Sequence, residues 1–192
     1  MKPENDQLYQ FFSTEFPFNK EGLELFVHSF ETKMYKKNQP ILHFGETEKE
    51  LRFLDNGIIR EFYANNGKEK NIDFFLDKEF VTDFYSFVSK KPTRKNQECV
   101  TDVQIRTLSK EKFLHFLKEY SCGKLFVDEI FQRIIEKKEQ DEFSQFINTA
   151  EENYKILLQH QPNWLQQIPQ YHIASYLGIT PETLSRIRKR IF

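Results

Sequence analysis

The segment that decides the fold is residues 168–191, which read IPQYHIASYLGITPETLSRIRKRI. Small Ala174 lets two helices cross closely, and Gly178 suits a turn that requires a positive φ. Thr180 is a typical helix N-cap, and Pro181 falls at the first helical position, where its missing N–H costs nothing. The spacing therefore predicts two short helices joined by a tight turn.

The second of these helices carries a polar and cationic face that suits nucleic acid. Arg186 on that face is the candidate for reading a base, because a guanidinium donates to guanine O6 and N7 together. Glu182 has two interpretations: it accepts from a cytosine amino group, or it favours the helix dipole. A purely structural helical hairpin is the alternative to DNA binding. The predicted DNA-contacting residues are Gln170, Thr180, Glu182, Thr183, Ser185, Arg186, Lys189 and Arg190.

The charge of the chain is distributed unevenly. The 192 residues include 28 Lys and Arg against 29 Asp and Glu, so the molecule as a whole, at a formal charge of -1, does not attract polyanions. Residues 160–192 carry four basic residues and one acidic residue. This asymmetry is typical of an acidic body with a basic nucleic-acid-binding end.

The middle of the chain has the pattern of a β-roll. Residues 40–108 form short alternating apolar runs, with turn residues at Asp55-Asn56-Gly57 and Asn65-Asn66-Gly67. Residues 5–34 have helical spacing, and the helical period returns after Ser109. The predicted fold class is α+β, with an N-terminal β-roll (jelly roll) and flanking helices, a long dimerisation helix and a C-terminal helix-turn-helix.

The predicted domains are residues 1–118 for the β-roll sensor domain, 119–142 for the dimerisation helix and 143–192 for the helix-turn-helix domain. Residues 125–135 hold seven large apolar residues, more than one face of a surface helix needs. A fully buried core helix is the alternative to a dimer helix. The candidate dimer seam is Leu125, Ile130 and Ile134.

The order of these parts resembles the Crp/Fnr family of bacterial transcription regulators, in the branch common in Bacteroidota. The resemblance rests on PILHFGE at 40–46, LRFLDNG at 51–57, AEENY at 150–154 and GITPETLSR at 178–186. It implies a homodimer that binds a roughly palindromic site in double-stranded DNA, with RNA polymerase as a candidate partner. The base-reading Glu and Arg of the family fall on Glu182 and Arg186, whereas Pro181 replaces a family arginine, and the family's β-hairpin wing is not evident.

The resemblance also implies an effector pocket. Cyclic-nucleotide-binding relatives use a Gly-Glu pair for the ribose and an Arg-Ser pair for the phosphate. These pairs fall on Thr82-Asp83 and Thr93-Arg94, so neither is intact, and cyclic AMP is a candidate ligand with an incomplete pocket motif. No other cofactor is expected, since two cysteines are too few for an iron-sulfur cluster and the histidines do not cluster as metal ligands.

The sequence therefore predicts a non-enzymatic DNA-binding transcription regulator. No apolar stretch is long enough to span a bilayer and the start lacks a signal peptide, so we expect a cytoplasmic protein without a membrane partner. Two alternatives stay open: a ligand-binding signalling module that acts through a protein partner, and a cupin-like β-roll enzyme. The enzyme would need clustered His and Glu metal ligands, but residues 40–108 contain His43 alone among histidines.

Overall fold

The computed structural model describes residues 6–15, 20–120 and 147–191, together with residues 128, 131, 132, 135, 136, 138–140, 143 and 144. The N-terminal helices are α1 (Gln7–Glu15) and α2 (Lys20–His28). The strands are β1 (Glu31–Tyr35), β2 (Pro40–Leu42), β3 (Glu50–Asn56), β4 (Ile59–Asn65), β5 (Lys68–Phe75), β6 (Glu79–Phe80), β7 (Asn96–Cys99) and β8 (Val103–Ser109). The later helices are α3 (Phe84–Ser89), α4 (Lys110–Tyr120), α5 (Ala150–His160), α6 (Pro162–Gln167), α7 (Gln170–Leu177) and α8 (Pro181–Ile191).

The strands form two antiparallel sheets, which confirms the predicted roll with flanking helices. One sheet has the order β1-β8-β3-β6 and the other has the order β2-β7-β4-β5, with β5 at its edge. The predicted helical region 5–34 extends too far, because residues 31–35 form β1. The backbone of β1 pairs with β8, at least 68 residues away in the sequence, so long-range pairing overrides the local helical spacing there.

Both turns predicted inside the roll are confirmed. Asn66 and Gly67 connect β4 to β5 with φ angles of 49° and 76°, as a primed hairpin turn requires. Gly57 connects β3 to β4 with a φ of 109°. A Cβ added to Gly57 would lie 2.6 Å from both the Asp102 carbonyl oxygen and a methyl carbon of Val103. Gly57 is therefore required by its own conformation and by the close approach of the chain just before β8.

We expect Gly57→Ala to lower the free energy of unfolding by more than about 3 kcal/mol, because a backbone clash adds to the strain of a positive φ. Gly67→Ala is the matched control: nothing lies within 4 Å of its added Cβ, so only the conformational strain applies. That strain costs about 1–2 kcal/mol. Urea unfolding followed by the fluorescence of Trp164, the only tryptophan, measures both variants. Equal losses would contradict a role for the close approach.

An aromatic core holds the N-terminal helices on the first sheet. Phe12 of α1 and Phe26 of α2 are buried, with ring centroids 4.7 Å apart, and Phe26 lies 5.4 Å from Phe116 of α4. Phe53 of β3 and Phe80 of β6 meet at 5.2 Å. Aromatic side chains bury large areas, so this cluster joins the four helices α1 to α4 and the sheet into one unit.

A second core joins the roll to the C-terminal helices. Phe74 on β5 is 1% exposed, and its ring lies 5.1 Å from Trp164 of α6 and 6.0 Å from Tyr176 of α7. Ile173 and Leu184 fill the crossing between α7 and α8 within the same cluster. The C-terminal helices are therefore packed on the roll through the strand that carries Phe74.

The C-terminal helices begin at a well-defined N-cap. Thr149 and Glu152 form a capping box: the Glu152 N–H donates to the Thr149 hydroxyl, and the Thr149 N–H donates to the Glu152 carboxylate. Across the described residues, no helix has both the length and the apolar character needed to cross a membrane. The candidate dimer residues Leu125, Ile130 and Ile134 lie outside the described residues.

Candidate functional site

The C-terminal helix pair has the turn and the N-cap that its sequence predicts. Gly178 follows α7 with a φ of 71°, and its N–H donates to carbonyl oxygens of the last turn of α7. The N–H of Thr183 donates to the Thr180 hydroxyl at 3.3 Å, which caps α8. Residues 178–180 are the whole connection between the helices, so α8 is closely tied to α7.

One face of α8 forms an open cationic depression. Its lining residues are Thr183, Arg186, Lys189 and Arg190. They are spaced three or four positions apart along the helix, or are adjacent to a residue so spaced, so their side chains share one side of α8. The opposite side of α8 buries Leu184 and Ile187 in the crossing with α7. Arg186 donates to the Thr183 hydroxyl at 3.0 Å. The depression has a volume of about 480 Å³.

Arg190 also contacts a neighbouring helix. Its Nη2 lies 2.8 Å from Oε2 of Glu151, a residue whose carboxylate also pairs with Lys155 at 3.0 Å. The Arg190 side chain is 65% exposed, so this ion pair is screened by solvent and contributes at most about 1 kcal/mol. Arg190 therefore braces α8 against α5 and stays accessible to a phosphate.

Glu182 lies in the first turn of α8 and is exposed. The pKa of its carboxyl is lowered, first because it accepts a hydrogen bond from its own backbone N–H, and then by the Thr180 hydroxyl and the nearby Arg186. This contact fits the interpretation in which Glu182 favours the helix N-terminus. Accepting from a cytosine would require the carboxylate to turn away from these donors.

Four of the eight predicted contact residues do not line the depression, namely Gln170, Thr180, Glu182 and Ser185. Gln170 is half-buried, and its Nε2 donates to the Leu165 carbonyl at 3.4 Å. Ser185 is exposed on α8. Thr180 is the N-cap of the same helix, and its hydroxyl accepts from the Thr183 N–H. The structure therefore brings Thr183, Arg186, Lys189 and Arg190 together and leaves the other four predicted residues outside that group.

Three of the four candidate effector-pocket residues are buried inside the roll. The Thr93 hydroxyl donates to the Asp83 carboxylate at 2.5 Å, and Asp83 also caps α3. The Thr82 hydroxyl accepts from the Arg52 N–H at 2.8 Å. Arg94, next to Thr93, is exposed. Thr93 and Asp83 thus bond to each other, Thr82 bonds to the backbone of β3, and Arg94 lies at the surface.

Two cations pair with buried carboxylates in the same interior, and of the two cations Arg52 is buried and Lys95 is half-buried. Nζ of Lys95 is 2.9 Å from the Glu61 carboxylate, and Nη1 of Arg52 is 2.6 Å from the Glu48 carboxylate. Burial raises the pKa of both glutamates, and their paired cations partly oppose this. Burial alone lowers the pKa of Lys95, but the carboxylates of Glu61 and Asp83 raise it overall. The chain therefore supplies its own counter-ions for both cations.

Residues 32–120 match the family of the cyclic nucleotide-binding domain. No curated protein sequence matches the chain. Solved structures match its fold at low identity. FixK2 from Bradyrhizobium japonicum is 19% identical over 84% of each chain, with a TM-score of 0.69. A CooA variant from Carboxydothermus hydrogenoformans is 14% identical over 97% of this chain and 84% of its own, with a TM-score of 0.70. The regulator CLP from Xanthomonas campestris is 14% identical over 90% of this chain and 91% of its own, with a TM-score of 0.66.

The interior of the roll does not fit the phosphate of a cyclic nucleotide. A buried phosphate needs cations or N–H donors, whereas Arg52 and Lys95 are both already paired with carboxylates. A phosphate at the aligned positions would have to break the bond between Thr93 and Asp83. It would also face the Asp83 carboxylate, a like charge that opposes its binding.

We expect millimolar cyclic AMP to leave the midpoint of thermal unfolding unchanged. A ligand at 100 times its dissociation constant would add about 2.7 kcal/mol to the stability of the folded state, which shifts the midpoint by several degrees. Thermal melts of the purified protein with and without the nucleotide make the measurement, with cyclic GMP as a second probe. A shift of several degrees with either nucleotide would show that the domain opens its internal ion pairs for a ligand.

The part of the chain that the structure describes contains neither a cluster of metal-ligating side chains nor a reactive thiol. No three His, Cys, Asp or Glu side chains are grouped there as metal ligands, and His43 is exposed. Burial raises the pKa of the Cys99 thiol to about 12, so Cys99 is a protonated, unreactive packing residue. These observations give the cupin-like alternative no support.

His172 on α7 and Asn71 on β5 form a contact that the sequence did not predict. Nδ2 of Asn71 lies 3.2 Å from Nδ1 of His172 and 3.1 Å from its carbonyl oxygen. The pKa of His172 is lowered to about 4, mainly by burial and then by Arg60 and Lys37, with Glu69 opposing them. His172 is therefore neutral at pH 7, with Nδ1 free to accept from Asn71.

We expect the stability of the C-terminal helices to fall as the pH drops from about 6.5 towards 4. In the unfolded chain the pKa of His172 is about 6.5, so the unfolded state takes up the proton first and is favoured. Between pH 7 and pH 5 the loss is about 2 kcal/mol. Urea unfolding followed by Trp164 fluorescence measures it, with His172→Gln as the control that lacks the titrating group. An equal loss in the control would assign the pH dependence to other residues.

Proposed function

We propose that this protein is a sequence-specific DNA-binding transcription regulator of the Crp/Fnr type that acts as a homodimer. The observation that carries the proposal is the cationic depression on α8, lined by Thr183, Arg186, Lys189 and Arg190. It lies on the second helix of a helix-turn-helix, the element that enters the major groove in such proteins. The structural neighbour CLP is described as a global regulator that links cell-cell signalling to virulence gene expression, which supports a regulatory role.

The side chains of the depression have two different roles, contact with base edges and contact with the phosphates of the DNA backbone. Arg186 is exposed and donates to a neutral hydroxyl, so its guanidinium is free to exchange that bond for guanine O6 and N7. Lys189 and Arg190 follow on the same side and suit phosphates. Glu182 and Thr180 mark the helix N-terminus, where backbone N–H groups favour a phosphate as well.

Exposed apolar residues support the homodimer. Ile135, Phe143 and Ile147 are helical positions with exposed fractions of 64%, 63% and 67%. Large apolar side chains this exposed fit a surface that a second chain covers. A two-fold homodimer would place two α8 helices in successive major grooves, about 34 Å apart, on a roughly palindromic site. The proposed seam remains Leu125, Ile130 and Ile134.

We also propose that DNA binding needs no cyclic nucleotide. The internal ion pairs of Arg52 and Lys95 support this, because they neutralise the cations that a phosphate would use. The roll would then act as a fixed platform for the C-terminal helices, or as a sensor for a different ligand class.

Arg186→Ala should remove base discrimination, whereas Arg188→Ala should not. Both residues are exposed arginines on α8, but Arg188 does not line the depression, so it is a matched control for charge. We expect Arg186→Ala to lose about 1–3 kcal/mol of discrimination at one base position, because a bidentate contact to guanine disappears. Arg188→Ala should weaken binding evenly across sequences.

Selection from random DNA, followed by fluorescence anisotropy on the selected site at about 150 mM salt, provides the measurement, because phosphate attraction alone is weak at that ionic strength. Selection that enriches no sequence with the unmodified protein would overturn the proposed function. Equal effects of the two substitutions would remove Arg186 from base readout.

A further inference from the structure

The edge strand β5 is completed by a helix. Ser175 of α7 lies against the side of β5 that faces away from β4, and its hydroxyl accepts from the Asn71 N–H at 3.1 Å and donates to the Glu69 carbonyl at 3.4 Å. These two backbone groups are those that a further strand would use. The Ser175 hydroxyl therefore occupies the place of a neighbouring strand at this position.

The Asn71 side chain makes the contact specific. Asn71 is 1% exposed, and its two amide hydrogens serve the His172 carbonyl oxygen and the His172 ring. Its Oδ1 accepts from Arg60 at 3.4 Å, so every polar atom of the carboxamide is engaged. The pairing of β4 with β5 shifts between Phe62 opposite Asn71 and Glu61 opposite Asp73, which is a β-bulge. Bulges redirect side chains, and this one lies directly beside Asn71.

We propose that Asn71 is a positioning residue that fixes the orientation of α8 relative to the roll, through its contacts with α7. The proposal rests on the DNA-binding function proposed above. Because only three residues connect α7 to α8, contacts that hold α7 on β5 also restrict the position of α8. The Phe74 contact with Trp164 reinforces the same interface from its apolar side.

The docked arrangement is the one that binds DNA. The depression on α8 is open while α7 is packed on β5, so docking does not cover it. In a homodimer the two α8 helices must match two half-sites at a fixed spacing. A rigid connection to the roll sets that spacing, whereas loose C-terminal helices would have to be ordered at the moment of binding.

The experiment compares Asn71→Ala and Ser175→Ala with Asn65→Ala, an exposed asparagine at the end of β4 that makes none of these contacts. Ser175→Ala guards against misfolding, because alanine favours the helix and Ser175 is only half-buried. Far-UV circular dichroism checks that each variant is folded. Acrylamide quenching of Trp164 then reports docking without DNA, since this residue is 7% exposed beside Phe74. We expect stronger quenching in both test variants and no change in Asn65→Ala.

The second readout is binding to the selected DNA site and to the same site with its half-sites moved apart by one or two base pairs. At the native spacing we expect the test variants to bind at least about tenfold more weakly, because two loosely held α8 helices lose effective concentration. The unmodified protein should lose affinity sharply when the spacing changes, whereas the test variants should be less sensitive to spacing. A general loss of stability would not change the spacing preference.

Three results would overturn the proposal. The first is unchanged quenching in both test variants, which would mean that Asn71 and Ser175 do not hold α7. The second is tighter DNA binding in the variants, which would make docking inhibitory. The third is stronger quenching with an unchanged spacing preference, which would leave α8 positioned by other contacts. If the unmodified protein selects no DNA sequence, the DNA-binding function fails, and the quenching result still decides whether Asn71 holds the C-terminal helices.

Discussion

The packing of Phe74 against Trp164 is the contact on which the arrangement of this molecule depends. It places an aromatic ring from the edge strand of the roll in the middle of the C-terminal core, so each unit completes the burial of the other. Burial of large aromatic surfaces is the strongest favourable term available at such a junction. The hydrogen bonds of Asn71 and Ser175 then select one orientation of the C-terminal helices among those that the apolar contact allows. Hydrogen bonds form only within a narrow range of distances and angles, so they are lost when the helices rotate or shift.

Ion pairs within the chain neutralise the cations in the interior of the roll. Lys95 and Arg52 take positions among buried carboxylates, and their ion pairs satisfy groups that would otherwise be unpaired. Removing one partner of a buried ion pair lowers the free energy of unfolding by much more than the intact pair adds to it. The arrangement is therefore rigid even where the net stabilisation by the pair is small. A roll built this way has a fixed interior, and its influence on α8 passes through β5.

Local chemistry explains which features the sequence predicts. The turn at Asn66-Gly67 and the αL position at Gly178 follow from the few residues that tolerate positive φ, and the face of α8 follows from helical spacing. The contact of Asn71 with His172 joins residues 101 positions apart, and no periodicity connects them. The sequence signal for this contact is Asn71 itself, a polar residue at a buried position of the strand that reads NIDFF at 71–75. The ion pair of Lys95 with Glu61 joins residues 34 positions apart and is equally invisible locally, whereas Arg52 pairs with Glu48 only four residues before it.

The Ser175 hydroxyl on β5 has one more consequence, for the solution behaviour of the protein. While α7 is in place, the N–H of Asn71 and the carbonyl of Glu69 are satisfied within the chain. When the C-terminal helices detach, those groups and the apolar ring of Phe74 are presented together on an unprotected strand. Such a strand is a template for pairing with another chain, so partial opening of this protein would lead to aggregation or domain swapping before complete unfolding.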